Sequence, residues 1–427
     1  MWIRAGFLVV VMAGCVRAEG LVVAPATSPG VPFTIGPTTT VVTGPVGKDG
    51  LPDYAAALNE RYGKGVTAEN NAAVEWLHLM GDDILAGDER DAELRAMGAR
   101  LAPTGTAVWS DENDPVQLAT TAKQLWRAAD FPEVDAFVKQ RGPLLDRLVD
   151  LSGKTHWFWP AVITADGLYL YTGPRYAGAA DLLRALASRA TERAAGKDFA
   201  GFEGDTLGLL RLSQLCGHGA TMLERVIADV AQSLAVEDLS AAAEAQVFTR
   251  GQWKQLAAAA TDIAPVDNIE PLDVLLRYED LRAQQLTAIG AHDSFLKDPD
   301  AAEDPAFVAM LVNRGHLDWN LILERDNADW DECIRIERMP AGPAREGAVK
   351  AMDQRFAKGL RAAVDDENHL DRHPGESWQA YSERVQAWSI SVSPVGLAND
   401  TLAKRQDEAT ATWEKLHALL VAQSQSR

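Results

Sequence analysis

Asp365, His369 and His373 stand four residues apart, the arrangement in this sequence closest to a metal site. On one continuous helix all three share a face, which is what a zinc ion needs from its protein ligands. The glutamate that follows the first histidine of helical metalloprotease motifs is replaced by Leu370, and Pro374 disfavours helical geometry at His373. A solvated helix end with cations near its negative pole accounts for the same residues. Oxygen ligands also gather at Asp326–Glu332 and Asp111–Asp114. Neither run has the alternating ligands and central glycine of an EF-hand loop, so polar turns and caps are the expectation there.

The second chemical candidate is aromatic. His156-Trp157-Phe158-Trp159-Pro160, with Tyr169, Tyr171 and Tyr176 close behind, is the most unusual local composition in the chain. Rings with one polar edge line ligand grooves, and Trp157, Trp159, Tyr169 and Tyr171 are the residues such a groove would use. The same rings also pack domain junctions, which is the plainer expectation. Nucleophile motifs are absent: there is no G-x-S-x-G and no C-x-x-C. Gly44-x-x-Gly47-Lys48 lacks the spacing and the following Ser/Thr of a phosphate loop. No cofactor is expected.

The N-terminus carries an address. Arg4 precedes the apolar run Ala5–Gly14, which is too short to span a bilayer, and Val16-Arg17-Ala18 fits a signal-peptidase site before Glu19. Met12-Ala13-Gly14-Cys15 reads alternatively as a lipoprotein box, with Cys15 the lipidated anchor. No later run is apolar for long enough to span a membrane. Cys216 and Cys333 could pair in an oxidising compartment or remain as buried thiols. Residues 20–47 carry no charged side chain and are rich in Pro, Gly, Thr and Val, so an extended tether is expected over 19–50, after a signal peptide over 1–18.

From Leu51 onward the apolar period is close to 3.6. Met222, Val226, Val230 and Leu234 form one stripe, and Trp378, Tyr381, Val385 and Trp388 another. Thr221 with Glu224 three residues on makes a capping box after the short link Gly217-His218-Gly219, which forces antiparallel helices. Gly217 is expected in the left-handed conformation that ends a helix. Thr67 and Thr249 are further expected caps, for helices over 68–80 and 250–261. Ala161–Ala165, Asp166-Gly167 and Leu168–Tyr171 suggest one short β-hairpin with a type I′ turn. The fold class is all-α, an irregular array of antiparallel helical hairpins, in units over 51–155, 156–296 and 297–427.

Two stretches carry a resemblance. Asp53–Glu60 followed by Gly65–Val74, and Leu209–Glu224, resemble a group of exported proteins common in planctomycete-type bacteria, over the first half of the body. That group carries Pro where this chain has Ala68. It has no assigned activity, so the resemblance implies export and helices and no chemistry.

The 41 Lys+Arg against 61 Asp+Glu leave a net charge of −20, which opposes binding to nucleic acid or anionic lipid. The expected function is an exported, non-catalytic scaffold with a protein partner in the periplasm or cell envelope, with or without a lipid anchor. The alternative is an exported hydrolase with its site in an interhelical groove near Trp157–Tyr176.

Overall fold

The computed structural model describes residues 30–427 apart from 82–83, 86–89, 104, 111–114, 165–166, 170–175, 177, 265–273, 275, 292–304, 365–369, 393 and 426–427. The signal segment with Cys15, and the Asp111–Asp114 run, lie outside the described residues.

The body is all-α apart from one hairpin. Its helices are α1 (Tyr54–Tyr62), α2 (Ala72–Met80), α3 (Arg90–Met97), α4 (Leu118–Thr121), α5 (Pro132–Leu151), α6 (Ala179–Ala195), α7 (Phe199–Cys216) and α8 (Met222–Glu244), then α9 (Arg250–Ala259), α10 (Arg277–Ala288), α11 (Pro305–Asn313), α12 (Trp319–Glu337), α13 (Pro343–Ala363), α14 (Trp378–Val392) and α15 (Pro394–Gln425). Strands β1 (Val162–Thr164) and β2 (Gly167–Tyr169) pair antiparallel. The pairing closes on Thr164 and Gly167, so Gly167 belongs to the ladder rather than to the expected turn, whose Asp166 lies outside the described residues.

Local chemistry sets the helix ends. Asp53 accepts from Ala56 N at 2.9 Å and starts α1. Asn71 rather than Thr67 caps α2, accepting from Ala73 N; Thr67 is instead engaged with Asn70 in the preceding turn. The capping boxes at Thr221/Glu224 and Thr249/Gln252 both form. Gly217 is right-handed at φ −62°, not left-handed, because the turn closes through ordinary backbone bonds from Gly217 to Ser213 and from His218 to Leu215. The glycine this link needs is Gly219, where a Cβ would lie 2.4 Å from the Glu224 carboxyl carbon.

The cores do not divide at the expected unit boundaries. One runs from Ala72 to Ile263, through α2–α9, and takes in Leu416 and Leu420 of α15. A second joins α1 to α10–α12 and α14, and a smaller one lies between α12 and α13. The expected boundary between residues 155 and 156 falls inside the sequence span of the first core, and α1 packs in the second core with α10–α12 and α14. The long α15 ties the cores together: Gln232 of α8 reaches the Ala409 carbonyl, Arg250 bonds the Ser424 carbonyl at 2.9 Å, and Asp407 pairs with Arg345 of α13.

The uncharged N-terminal stretch is no free tether over residues 30–50. Phe33 and Val42 are buried in the second core, with Val31, Ile35 and Val41 packed against it. The threonines give the physical reason. Thr39 and Thr40 are buried at 2% and 0% exposure, and their hydroxyls bond carbonyls of the strap itself, which removes the need for water.

Candidate functional site

The extended segment 156–161 is fastened from one side by two asparagines. Asn71 donates from Nδ2 to the Phe158 carbonyl at 2.9 Å and accepts from Phe158 N at 3.0 Å. Asn59 does the same to Ala161, at 2.9 and 2.7 Å. Each side chain thus imitates the edge of a neighbouring strand. The result points Trp157 into the first core, where its ring meets Trp76 edge-on at 5.5 Å.

From the other side comes Glu224, which is 1% exposed. Its Oε1 accepts from Trp157 Nε1 and from the Tyr176 hydroxyl, both at 2.9 Å, while Oε2 accepts from Thr221 N at 2.7 Å. A buried carboxylate holding three donors is compensated for much of its lost hydration. Trp157 and Trp159 are 3% and 4% exposed, so the groove expected at Trp157 and Trp159 is filled by those rings themselves. The side chain of Tyr169, and Tyr171 altogether, lie outside the described residues. Two stretches distant in sequence meet here: Asn59 and Asn71 come from 53–74, Thr221 and Glu224 from 209–224.

Two clusters of buried acids were not visible in the sequence. Where α10, α12 and α14 meet, Asp280 accepts from Trp330 Nε1 at 2.8 Å and from Gln284 at 3.4 Å. Asp326, fully buried, accepts from Gln386 Nε2 at 2.8 Å, and that amide also reaches Asp329 at 3.2 Å. Arg355 of α13 closes the cluster on Asp329 at 2.6 Å. Burial pushes the Asp280 carboxyl up to about 6, and pushes Asp326 well above the ordinary range, with the neighbouring Asp280 charge adding to it. Two such acids titrate as a pair.

The second cluster lies between α6, α7 and α8. Arg189 holds Asp205 through two bonds of 3.0 and 2.7 Å and reaches Asp146 at 2.7 Å; Arg193 adds a bond to Asp205 at 2.8 Å. Burial raises the Asp205 carboxyl, against the pull of the two guanidiniums. Nearby Asp238 is fully buried, and neither carboxyl oxygen meets a hydrogen-bond donor among the described residues. Burial holds it well above the ordinary carboxyl range.

None of Asp205, Asp238, Asp280 and Asp326 lines either of two surface depressions. Two depressions of about 420 Å³ are lined by Trp126, Arg127 and Glu192 in one case and by Asp331, Ile334 and Arg335 in the other.

Of the expected metal set, His373 alone lies among the described residues. α13 ends at Ala363, Val364 is extended at φ −116° and ψ 152°, and Leu370–His373 are not helical. His373 is exposed and donates its backbone N–H to Glu376 at 3.0 Å; Asp365 and His369 lie outside the described residues. Among the described residues no group of three His, Cys, Asp or Glu side chains is arranged to hold a metal ion. The acids of 326–332 lie on α12, where Asp331 pairs with Arg277 of α10 at 2.8 Å and Glu332 with Arg335 of its own helix at 3.0 Å. Cys216 and Cys333 are separate buried free thiols, and burial raises both.

No family model matches this chain, and no curated protein or solved structure is significantly similar to it.

Proposed function

We propose that this chain is an exported helical scaffold that works in the cell envelope by binding a protein partner. The observation that carries the reading is the commitment of Glu224. The acid, the indole and the phenol best suited to chemistry are bonded to one another in a node that holds α8 against the 156–176 segment. Groups bonded to one another in this way stiffen the helical body. The Arg4, Ala5–Gly14 and Val16–Ala18 pattern supports export, and no helix among the described residues is long and apolar enough to cross a membrane. The surplus of 20 negative charges suits a protein partner better than nucleic acid or an anionic bilayer.

Cell fractionation followed by intact-mass measurement tests the export half. The expected product is an envelope protein that starts at Glu19 or carries lipid on Cys15. A cytosolic protein with residues 1–18 still attached would end the proposal.

A further inference from the structure

The strap over residues 33–42 is held in a way that reads a main chain rather than a particular sequence. On α12, Asn320, Glu324 and Asn327 fall at i, i+4 and i+7 and so share one stripe. Asn320 Oδ1 accepts from Thr34 N at 2.8 Å, and Asn327 Nδ2 donates to the Thr38 carbonyl at 2.9 Å. Glu324 accepts from the Thr38 hydroxyl at 3.3 Å. From the opposite wall, the Tyr54 hydroxyl of α1 donates to the Thr40 carbonyl at 2.9 Å, and Gln285 of α10 holds that hydroxyl at 2.6 Å. Three main-chain positions of the strap are therefore bonded by side chains of the body. Between them Phe33 and Val42 sink into the second core, at 7% and 8% exposure. Backbone bonds for affinity and spaced pockets for selectivity are the two components of peptide recognition.

The strap is also not relaxed in this seat. Val41 sits at φ 59°, a left-handed conformation that a β-branched residue rarely adopts, and Val42 N bonds the Thr40 carbonyl at 2.5 Å across it. This turn lies where the strap leaves the α12 stripe and heads back to α1.

We infer that the groove between α1, α10 and α12 is a peptide-binding site which the chain fills with its own strap, and that an uncharged segment of a partner polypeptide, wound in a turn like that of Gly36–Thr40, takes its place. The ligand class follows from the seat: an aromatic anchor, small hydroxyl side chains and an aliphatic residue nine positions on, as in Phe33 to Val42. This inference rests on the interaction reading for its biological setting, while the groove itself is testable on isolated protein.

The test uses the full chain with the strap weakened by Phe33→Ser and Val42→Asp, which leave the groove residues in place. A fluorescent synthetic peptide of residues 30–46 is titrated by anisotropy. The weakened chain should bind it at least tenfold more tightly than the unaltered chain. Adding Asn320→Ala and Asn327→Ala should remove at least tenfold of that affinity at unchanged helicity. A peptide carrying the same two strap changes should not bind. No saturable binding by a weakened chain of native helicity, or binding indifferent to the two asparagines, overturns the inference. Should the weakened chain lose its helicity, the wild-type chain with a protease site inserted between Lys48 and Asp49 takes its place. After cleavage the bound strap should exchange with labelled peptide, and a strap that never exchanges overturns the inference. Peptide binding by a protein found in the cytosol would sink the export proposal and leave the groove standing.

Discussion

Replacing Glu224 by Ala strips one acceptor from three buried donors, Trp157 Nε1, the Tyr176 hydroxyl and Thr221 N. A buried donor left unsatisfied costs roughly 1–3 kcal/mol, and loss of a helix cap about 1 kcal/mol. Because the three share one carboxylate the losses are not additive, and about 3–5 kcal/mol is the expected total. Urea unfolding followed by far-UV circular dichroism reads it as a fall in midpoint at unchanged slope. Trp157→Phe removes one donor and leaves two, so it should cost roughly 1–2 kcal/mol. In the Glu224→Ala background the same change should cost at least about 1 kcal/mol less, since its partner is already gone. A Glu224→Ala loss below about 1 kcal/mol, or strict additivity with Trp157→Phe, would refute the claim that this node holds the helices together.

Three further outcomes follow from the buried charges and thiols. Asp280, Asp326 and Asp238 all have folded pKa values raised by burial above the unfolded value of 3.8, to about 6 for Asp280. The folded state therefore holds protons that the unfolded chain releases, so this contribution is full below about pH 4 and is lost as pH rises through 6. The melting temperature should fall between pH 4.5 and 7.5, and Asp280→Asn should flatten that slope; an unchanged slope contradicts the assignment. Breaking the buried Arg189–Asp205 pair with Arg189→Ala should cost about 3–5 kcal/mol in chemical unfolding, because Asp205 is left buried with only Arg193 nearby. Finally, Cys216 and Cys333 should resist a thiol reagent in the folded protein and both react in denaturant; a single disulfide by mass would contradict their separate burial.

Much of the helical body was legible because its signals are local. The apolar period runs through α5 and α6, although no side chain caps the first turn of either and only Pro132 marks the start of α5. The capping box at Thr221/Glu224 was also local, and it formed. What escaped was long-range. Glu224's other partners are 67 and 48 residues away in sequence, so no spacing announces them. The strap shows the limit most clearly. Its Pro, Gly and Thr content matches a linker, and its partners Asn320 and Asn327 lie 286 and 289 residues on. The apolar period does not announce the Arg314–His316 turn that separates α11 from α12, where Trp319 Nε1 bonds the Arg314 carbonyl at 2.9 Å. The burial of Asp238 and Asp326 between helices is not written in their sequence neighbours.

The central claim is that this body is a partner-binding scaffold of the cell envelope, and cross-linking in intact cells tests it most directly. With the mature protein at native abundance, cross-linking mass spectrometry should join the helical body reproducibly to one defined envelope protein. Recovery of the chain without any protein neighbour, or joined only to cytosolic proteins, would contradict it.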